Sequence, residues 1–155
     1  MADKIRRIVT GHAEDGTAVF TDDELFDTVV IPSGDAAFRT IWTTLNVPAD
    51  LNDETDGAKR NAGLTLNGGS VIRIVDMLPN CSSPMHRSSS IDYGIILSGQ
   101  IELELDNQDV KTLGQGLLLF SVVPSINGVI QAVPTFAASY LSSQKQNPIS
   151  SMDNH

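Results

Sequence analysis

Apolar residues in this chain recur in short alternating runs between turn-forming residues, and no segment sustains the apolar period of a helix. Alternation with a period of two puts every second side chain on one face of a strand, whereas an amphipathic helix needs an apolar stripe along several turns. Within residues 100–105, for example, Ile101, Leu103 and Leu105 alternate with two glutamates. The sequence therefore predicts an all-β sandwich or barrel.

The same pattern predicts where the strands lie. Strands are expected over residues 5–9, 17–20, 38–44, 70–78, 91–97, 100–105 and 110–113. Asp15-Gly16 is a good hairpin-turn signal between the first two. The polar residues 48–63 predict a surface loop. On strand 70–78, Val71, Arg73, Val75 and Met77 share one face.

Length and charge exclude several classes of function. A chain of 155 residues has the size of one domain, and its net charge of −9 argues against binding to nucleic acid or to anionic membranes. A single cysteine, Cys81, cannot form an intramolecular disulfide and favours a reducing compartment. Neither a signal peptide nor an apolar stretch long enough to span a bilayer is evident. We expect a cytoplasmic protein with no nucleic-acid or membrane partner.

Charge is distributed unevenly along the chain. Residues 1–116 hold 18 of the 19 acids and 9 of the 10 bases, whereas residues 117–155 hold only Asp153 and Lys145. So abrupt a change inside a chain of single-domain length indicates that the two parts differ in origin or role. We therefore treat residues 1–116 as the folded domain and residues 117–155 as an atypical tail.

Two stretches of the sequence are weak candidates for a functional site. The acidic loop at residues 50–56 resembles the start of a calcium-binding EF-hand loop, but Thr55 stands where that loop needs glycine and no flanking helices are evident. A solvated loop is the better interpretation. His12 in a turn and His155 at the last position offer no evident catalytic arrangement.

The informative stretch is residues 83–99, which resembles the first motif of the cupin superfamily, G-x5-H-x-H-x3-4-E-x6-G. His86 takes the first histidine position, Asp92 the glutamate position and Gly99 the final glycine, whereas Ser88 and Asn80 depart from the motif. The resemblance extends over most of residues 5–116. Within the superfamily, the chain most resembles small single-domain cupins of fungal secondary-metabolite clusters, particularly polyketide clusters.

That resemblance implies a single cupin-like β-barrel of the jelly-roll type, incomplete at its C-terminal strands if the tail is atypical. It also implies a tailoring enzyme, nominally an oxidoreductase, that acts on a small molecule, with lyase, decarboxylase or cyclase chemistry also open. The alternative is a non-catalytic small-molecule-binding cupin or an inactive truncated product. Relatives of this type are commonly homodimers.

Carried over to this sequence, the motif assigns His86 and Asp92 as catalytic residues and as ligands of a divalent metal such as Fe. Arg73, Arg87 and Tyr93 are expected to bind substrate. In an extended segment His86 and Asp92 lie on the same face, so an imidazole and a carboxylate can converge. Three plainer interpretations stay open.

In the first, His86 and Asp92 form only a hydrogen-bonded pair at a strand end. In the second, Arg73 packs its stem and donates to a backbone carbonyl. In the third, Tyr93 is a packing residue.

The second cupin motif, roughly G-x5-P-x-G-x2-H-x3-N, is missing after Gly116. Read in the neighbouring frame, however, permitted codons for residues 118–132 can encode V-V-Q-R-G-T-I-H-Q-W-R-N-P-S, which looks like that motif with its histidine intact. We hypothesise that residues from about 117 onward are out of frame. In frame, a two-histidine, one-carboxylate set results; as written, no metal is expected. The competing hypothesis is a divergent strand, since residues 117–123 and 129–133 have strand-like composition.

Overall fold

The computed structural model describes residues 4–86, 90–121, 126–129 and 135–142, with His86 and the last two segments described as backbone only. Over these residues the chain forms strands and a single short 3₁₀ helix, Gly57–Lys59. The strands are β1 (Ile5–His12), β2 (Ala18–Phe26), β3 (Val29–Val30), β4 (Ala36–Thr44), β5 (Ser70–Met77), β6 (Ser82–His86), β7 (Ser90–Ile96), β8 (Gln100–Glu104), β9 (Val110–Gly114), β10 (Leu118–Ser121), β11 (Ile126–Val129) and β12 (Thr135–Ser142). The prediction of an all-β fold is confirmed.

Two larger sheets and one hairpin make up the fold. The six-stranded sheet has the order β10-β7-β12-β5-β4-β3, and the four-stranded sheet has the order β6-β11-β8-β9. Strands β1 and β2 pair with each other in a separate antiparallel hairpin. Strands β10, β11 and β12 all come from the predicted tail, and β11 and β12 each lie between two strands of the first 116 residues.

The core lies between the two larger sheets. Buried side chains from the six-stranded sheet meet those of the four-stranded sheet in one cluster: Ala36, Val75, Met77, Ile96, Ile101 and Leu113. Burying an aliphatic side chain of this size contributes about 1.5 to 3 kcal/mol. The two sheets therefore face each other, as in a jelly roll.

Strand β5 follows the predicted alternation, because Val71, Arg73, Val75 and Met77 are all buried. Strand β4 does not follow it throughout. A register shift between Thr40 and Trp42 breaks the uniform alternation that we expected for residues 38–44. Such a bulge reverses which residues face inward.

The loop between β4 and β5 is closed at its base by the hydroxyls of Thr44 and Ser70, which lie 2.7 Å apart. At Gly69, next to this pair, a Cβ atom would come within 2.0 Å of the Thr44 carbonyl oxygen, so only glycine fits. Arg60 adds a hydrogen bond of 3.0 Å to the Thr43 carbonyl. The predicted loop at residues 48–63 is thus confirmed, with the 3₁₀ turn inside it.

The hairpin β1–β2 turns at Asp15-Gly16 as predicted. Gly16 has a φ of +83°, and its N–H donates to the Ala13 carbonyl at 2.8 Å. The hairpin also contacts the six-stranded sheet, because the Arg39 guanidinium lies 4.5 Å from the centre of the buried Phe26 ring. A cation over an aromatic face is attracted by the ring quadrupole.

Candidate functional site

Asp92 lies in the middle of β7, half-buried, with its neighbour on the same face, Ser90, almost fully buried at 8% exposure. The Ser90 hydroxyl donates to Asp92 Oδ1 at 2.6 Å. On β10, Ser121 stands directly opposite Asp92 in the strand register. The Ser90 hydrogen bond fixes the orientation of the Asp92 carboxylate.

His86 does not share a strand with Asp92. It is the last residue of β6, where its backbone pairs with Ile126 in the four-stranded sheet, whereas Asp92 belongs to the six-stranded sheet. Alternation predicted that His86 and Asp92 share a face, but among the described residues it places Ser90, not His86, on the same face as Asp92. Arg87, predicted to bind substrate, lies outside the described residues.

Arg73 points into the core with 3% of the residue exposed. Its Nη2 donates to the carbonyl oxygens of Gly63 at 2.8 Å and Leu64 at 3.0 Å, and its guanidinium lies 5.6 Å from the centre of the Phe38 ring. This is the arrangement expected of an arginine that donates to backbone carbonyls. A role in binding substrate stays a prediction.

Tyr93 lies on the opposite face of β7 from Asp92, because successive residues of a strand alternate. Its ring meets Phe120 edge to face, with ring centres 5.5 Å apart and an interplanar angle of 87°. Phe120 is 63% exposed. Tyr93 therefore belongs to the outer surface of the six-stranded sheet, and its predicted contact with substrate stays a prediction.

Within the part of the chain that the structure describes, the predicted site residues do not make up a complete divalent-metal site of the cupin type. Such a site needs about three protein ligands, and the chain has only three histidines. His12 ends β1 in the separate hairpin, opposite Ala18, and His155 lies outside the described residues. His86 and Asp92 alone are too few to hold the metal firmly.

Sequence reasoning missed a second polar cluster, centred on Arg7. Asp22, Glu24 and Asp56 each bind the Arg7 guanidinium; Asp56 contributes two hydrogen bonds of 2.6 and 2.8 Å, and Asp22 one of 2.8 Å. Arg7 also donates to the Ile41 carbonyl at 3.3 Å. These partners come from β2, β4 and the loop before β5, so no local pattern revealed them.

Electrostatics in this Arg7 cluster follow from its geometry. The hydrogen bonds from Arg7 hold the pKa of Asp56 well below its usual range, although partial burial opposes the shift. The hydrogen bonds to Asp56 raise the pKa of Arg7 further above its ordinary value, again against burial. The three carboxylates lie close enough together to hold a cation, and the guanidinium occupies that position.

Comparison with known proteins indicates which family the chain resembles. No model of a known protein family matches. The chain is 37% identical over 114 residues to the cupin-domain-containing oxidoreductase virC of Hypocrea virens, a match that covers 71% of this chain and 59% of virC. The chain is similar to a cupin-domain protein over this stretch and has a cupin-like fold.

Two further comparisons agree with this assignment. The chain is 37% identical over 119 residues to the phomopsin biosynthesis cluster protein C' of Diaporthe leptostromiformis, covering 71% of this chain and 62% of that protein. Its fold is similar to that of KdgF from Halomonas sp., with a TM-score of 0.50 at 10% identity, covering 74% and 86% of the two chains. The predicted cupin resemblance and jelly-roll fold are confirmed.

The chain spans about three fifths of the length of these curated relatives. Among the described residues, no helix is long and apolar enough to cross a membrane.

Proposed function

We propose that this cupin is a tailoring enzyme of fungal secondary-metabolite biosynthesis, nominally an oxidoreductase, which acts in the cytoplasm on a small molecule bound between the two sheets. The observation that carries the proposal is the 37% identity to virC, described as a cupin-domain-containing oxidoreductase. The position of Asp92 supports it, because a half-buried carboxylate held by a buried serine is a preorganised polar group.

The chemistry that these residues supply is proton transfer. An imidazole changes charge near neutral pH, so His86 is suited to act as a general acid or base. Asp92, held in orientation by Ser90, accepts a hydrogen bond from the substrate. Arg73 and Arg87 supply positive charge for an anionic substrate group.

We expect replacement of His86 to abolish function in the producing organism. A strain without the gene accumulates the intermediate that the enzyme consumes, and complementation with His86→Ala leaves that intermediate in place, because the proton-transfer group is lost. Complementation with His12→Ala, the matched histidine in the hairpin, restores the product. The measurement is metabolite profiling of the three strains.

If complementation with His86→Ala restored the product as completely as His12→Ala does, the catalytic role of His86 would be contradicted. Unchanged metabolites in the deletion strain would contradict the tailoring function itself. Asp92→Asn serves as a second test, since it removes the charge and keeps the shape of the side chain.

We propose a homodimer that uses the outer face of the six-stranded sheet. That face exposes the apolar side chains of Ile72, Ile91, Ile95, Leu118 and Phe120. Pairing across β7 and β10 sets Leu118 beside Ile95 and Phe120 beside Tyr93, so part of this surface is continuous. Two copies that each carry a charge of −9 avoid like-charge repulsion by meeting on uncharged surfaces.

Substitution of Phe120 by serine is expected to weaken that dimer at least about tenfold, because a large exposed aromatic side chain contributes much of an interface's energy. The dissociation constant is measured by analytical ultracentrifugation. Phe20→Ser, at a still more exposed phenylalanine on β2, is the control. A monomeric wild-type protein would overturn the proposal, as would equal dimerisation of the Phe120 variant.

A second candidate is an inactive product whose last strands are out of frame. Strand β10 favours it, because Leu118 and Phe120 face solvent while Ser121 is buried at 4% exposure and its hydroxyl has no hydrogen-bond partner among the described residues. In a strand that evolved for this fold, we expect polar residues at the solvent-facing positions and an apolar residue at the buried position of Ser121. Transcript sequencing across the codons of residues 114–131 decides between this candidate and a divergent strand.

A further inference from the structure

A cavity of about 310 Å³ lies between the hairpin β1–β2 and the middle of β4, lined by residues 7–10 of β1 and by Ile41 and Trp42 of β4. Trp42 stands opposite Ile72, on the face of the six-stranded sheet that points away from the core. Strand β7, which carries Asp92, is separated from β4 by β12 and β5. Three strand spacings amount to roughly 14 Å, so this cavity is distinct from the predicted catalytic residues.

The lining residues show that the cavity follows the edge of β1. Successive side chains of a strand point to opposite faces, so a cavity on one face would touch only every second residue. Here all four residues from Arg7 to Thr10 take part, and no residue of β2 does. Among the described strands β1 pairs with β2 alone, so the edge beside the cavity is the unpaired one. Such an edge presents a row of backbone N–H and C=O groups.

The opposite wall of the cavity is a bulge in β4. The pairing of β4 with β5 passes directly from Thr40 to Trp42, so Ile41 is the extra residue and has no partner on β5. Strand β3 pairs with β4 no further along than Phe38, so it does not cover Ile41 either. The Arg7 guanidinium spans the gap and donates to the Ile41 carbonyl at 3.3 Å. A free strand edge and a bulge therefore face each other across the cavity.

The two walls determine which chemistry fits between them. Ile8, Val9, Ile41 and Trp42 are apolar, and the volume lies at the lower end of the range for small-molecule sites. The charge of Arg7 is already balanced by three carboxylates, so the lining residues favour a neutral ligand. The edge of β1 offers the groups that an added strand would use, N–H donors beside C=O acceptors. A secondary amide carries one group of each kind.

We propose that this cavity binds a small neutral molecule that carries a secondary amide, such as a lactam or a capped amino acid, together with an apolar ring. The amide pairs with the free edge of β1 as a short strand would, and the ring lies against Ile41 and Trp42. This site goes beyond the proposed function, because it uses neither His86 nor Asp92.

The test uses the intrinsic fluorescence of Trp42, which is the only tryptophan in the chain. The probe is N-acetyl-L-phenylalanine methylamide, which is neutral and carries one ring and two secondary amides. We expect a saturable change in the emission of the full chain. A matched probe with both amide nitrogens methylated keeps the ring and the carbonyls but loses the donors, and it should bind at least about tenfold more weakly.

Val9→Phe is the second test, because a larger side chain at this lining position fills the cavity. It should bind the first probe at least about tenfold more weakly than the wild type does. Val19→Phe is the matched control, since Val19 lies on β2 of the same hairpin and does not line the cavity. Asp92→Asn should bind the probe as the wild type does. Circular dichroism checks that each variant folds.

Four results would overturn the inference. These are no saturable change in the wild type, equal affinity for the two probes, equal losses in the two phenylalanine variants, or loss of binding in Asp92→Asn. The last result would move the probe to the predicted catalytic residues and leave the proposed function intact. Should Val9→Phe fail to fold, the comparison of the two probes on the wild type decides.

Discussion

Replacing Arg7 with methionine is expected to lower the free energy of unfolding by about 3 to 5 kcal/mol, which is the cost of removing one partner of a buried ion pair. Arg7 is 5% exposed and binds Asp22, Glu24 and Asp56 at once. Without it, three carboxylates whose oxygens lie within 4.8 Å of one another face each other, and Asp56 alone keeps an ion pair, with the exposed Lys59. The hairpin β1–β2 also loses its bonds to the loop before β5.

The measurement is urea denaturation, with the adjacent Arg6→Met as the control. Arg6 makes one ion pair with Asp23 at 2.6 Å, and both side chains are about half exposed or more. Exposed pairs contribute about 0 to 1 kcal/mol, so Arg6→Met should unfold nearly as the wild type does. Equal effects of the two substitutions would contradict the assigned role of Arg7. Adding Asp22→Asn and Glu24→Gln to Arg7→Met should recover part of the loss by removing repulsion.

The pH dependence of stability follows from the same cluster. Because Arg7 lowers the pKa of Asp56 in the folded state, ionised Asp56 stabilises the fold above the ordinary aspartate pKa of 3.8. That stabilisation is lost as the pH falls through the lower pKa of the folded protein. Arg7→Met removes the largest cause of this lowered pKa, so the two stability curves should converge in acid.

The second large effect concerns the last strands. A variant whose residues 118–131 are replaced by V-V-Q-R-G-T-I-H-Q-W-R-N-P-S should bind about one divalent metal ion per chain, because the added histidine joins His86 and Asp92 as a third ligand. The chain as it stands should hold well under one ion. Elemental analysis for Fe, Mn, Ni and Zn after purification measures both.

The matched control carries the same replacement with alanine in place of its histidine, and it should lose the metal. Stoichiometric metal in the unaltered chain would contradict the ligand count. Absence of metal from the replaced variant would contradict the out-of-frame hypothesis.

Local patterns predicted much of the first 116 residues. The turn at Asp15-Gly16 and the buried face of β5 follow from turn chemistry and from alternation, which depend on neighbours in the chain. The shift after Thr40 could not be predicted this way, because a bulge depends on how β4 meets β5. Strand limits differ from expectation mainly in β2, which continues to Phe26 through acidic residues that bind Arg7.

The candidate site was harder to predict than the fold. The motif identified Asp92 but placed it on one extended segment with His86, whereas the two residues belong to different sheets. Ser90 was identifiable by its spacing of two from Asp92. The Arg7 cluster joins residues up to 49 positions apart, and a single sequence does not carry that information.

The hydroxyl pair of Thr44 and Ser70 has a practical consequence for protein engineering. It joins the two ends of a loop of 25 intervening residues at 2.7 Å, so the entry and exit points stay fixed whatever the loop contains. Lengthening a loop whose ends are already held together costs little chain entropy. The exposed stretch around Leu51 is therefore the natural place to insert a reporter peptide without disturbing either sheet.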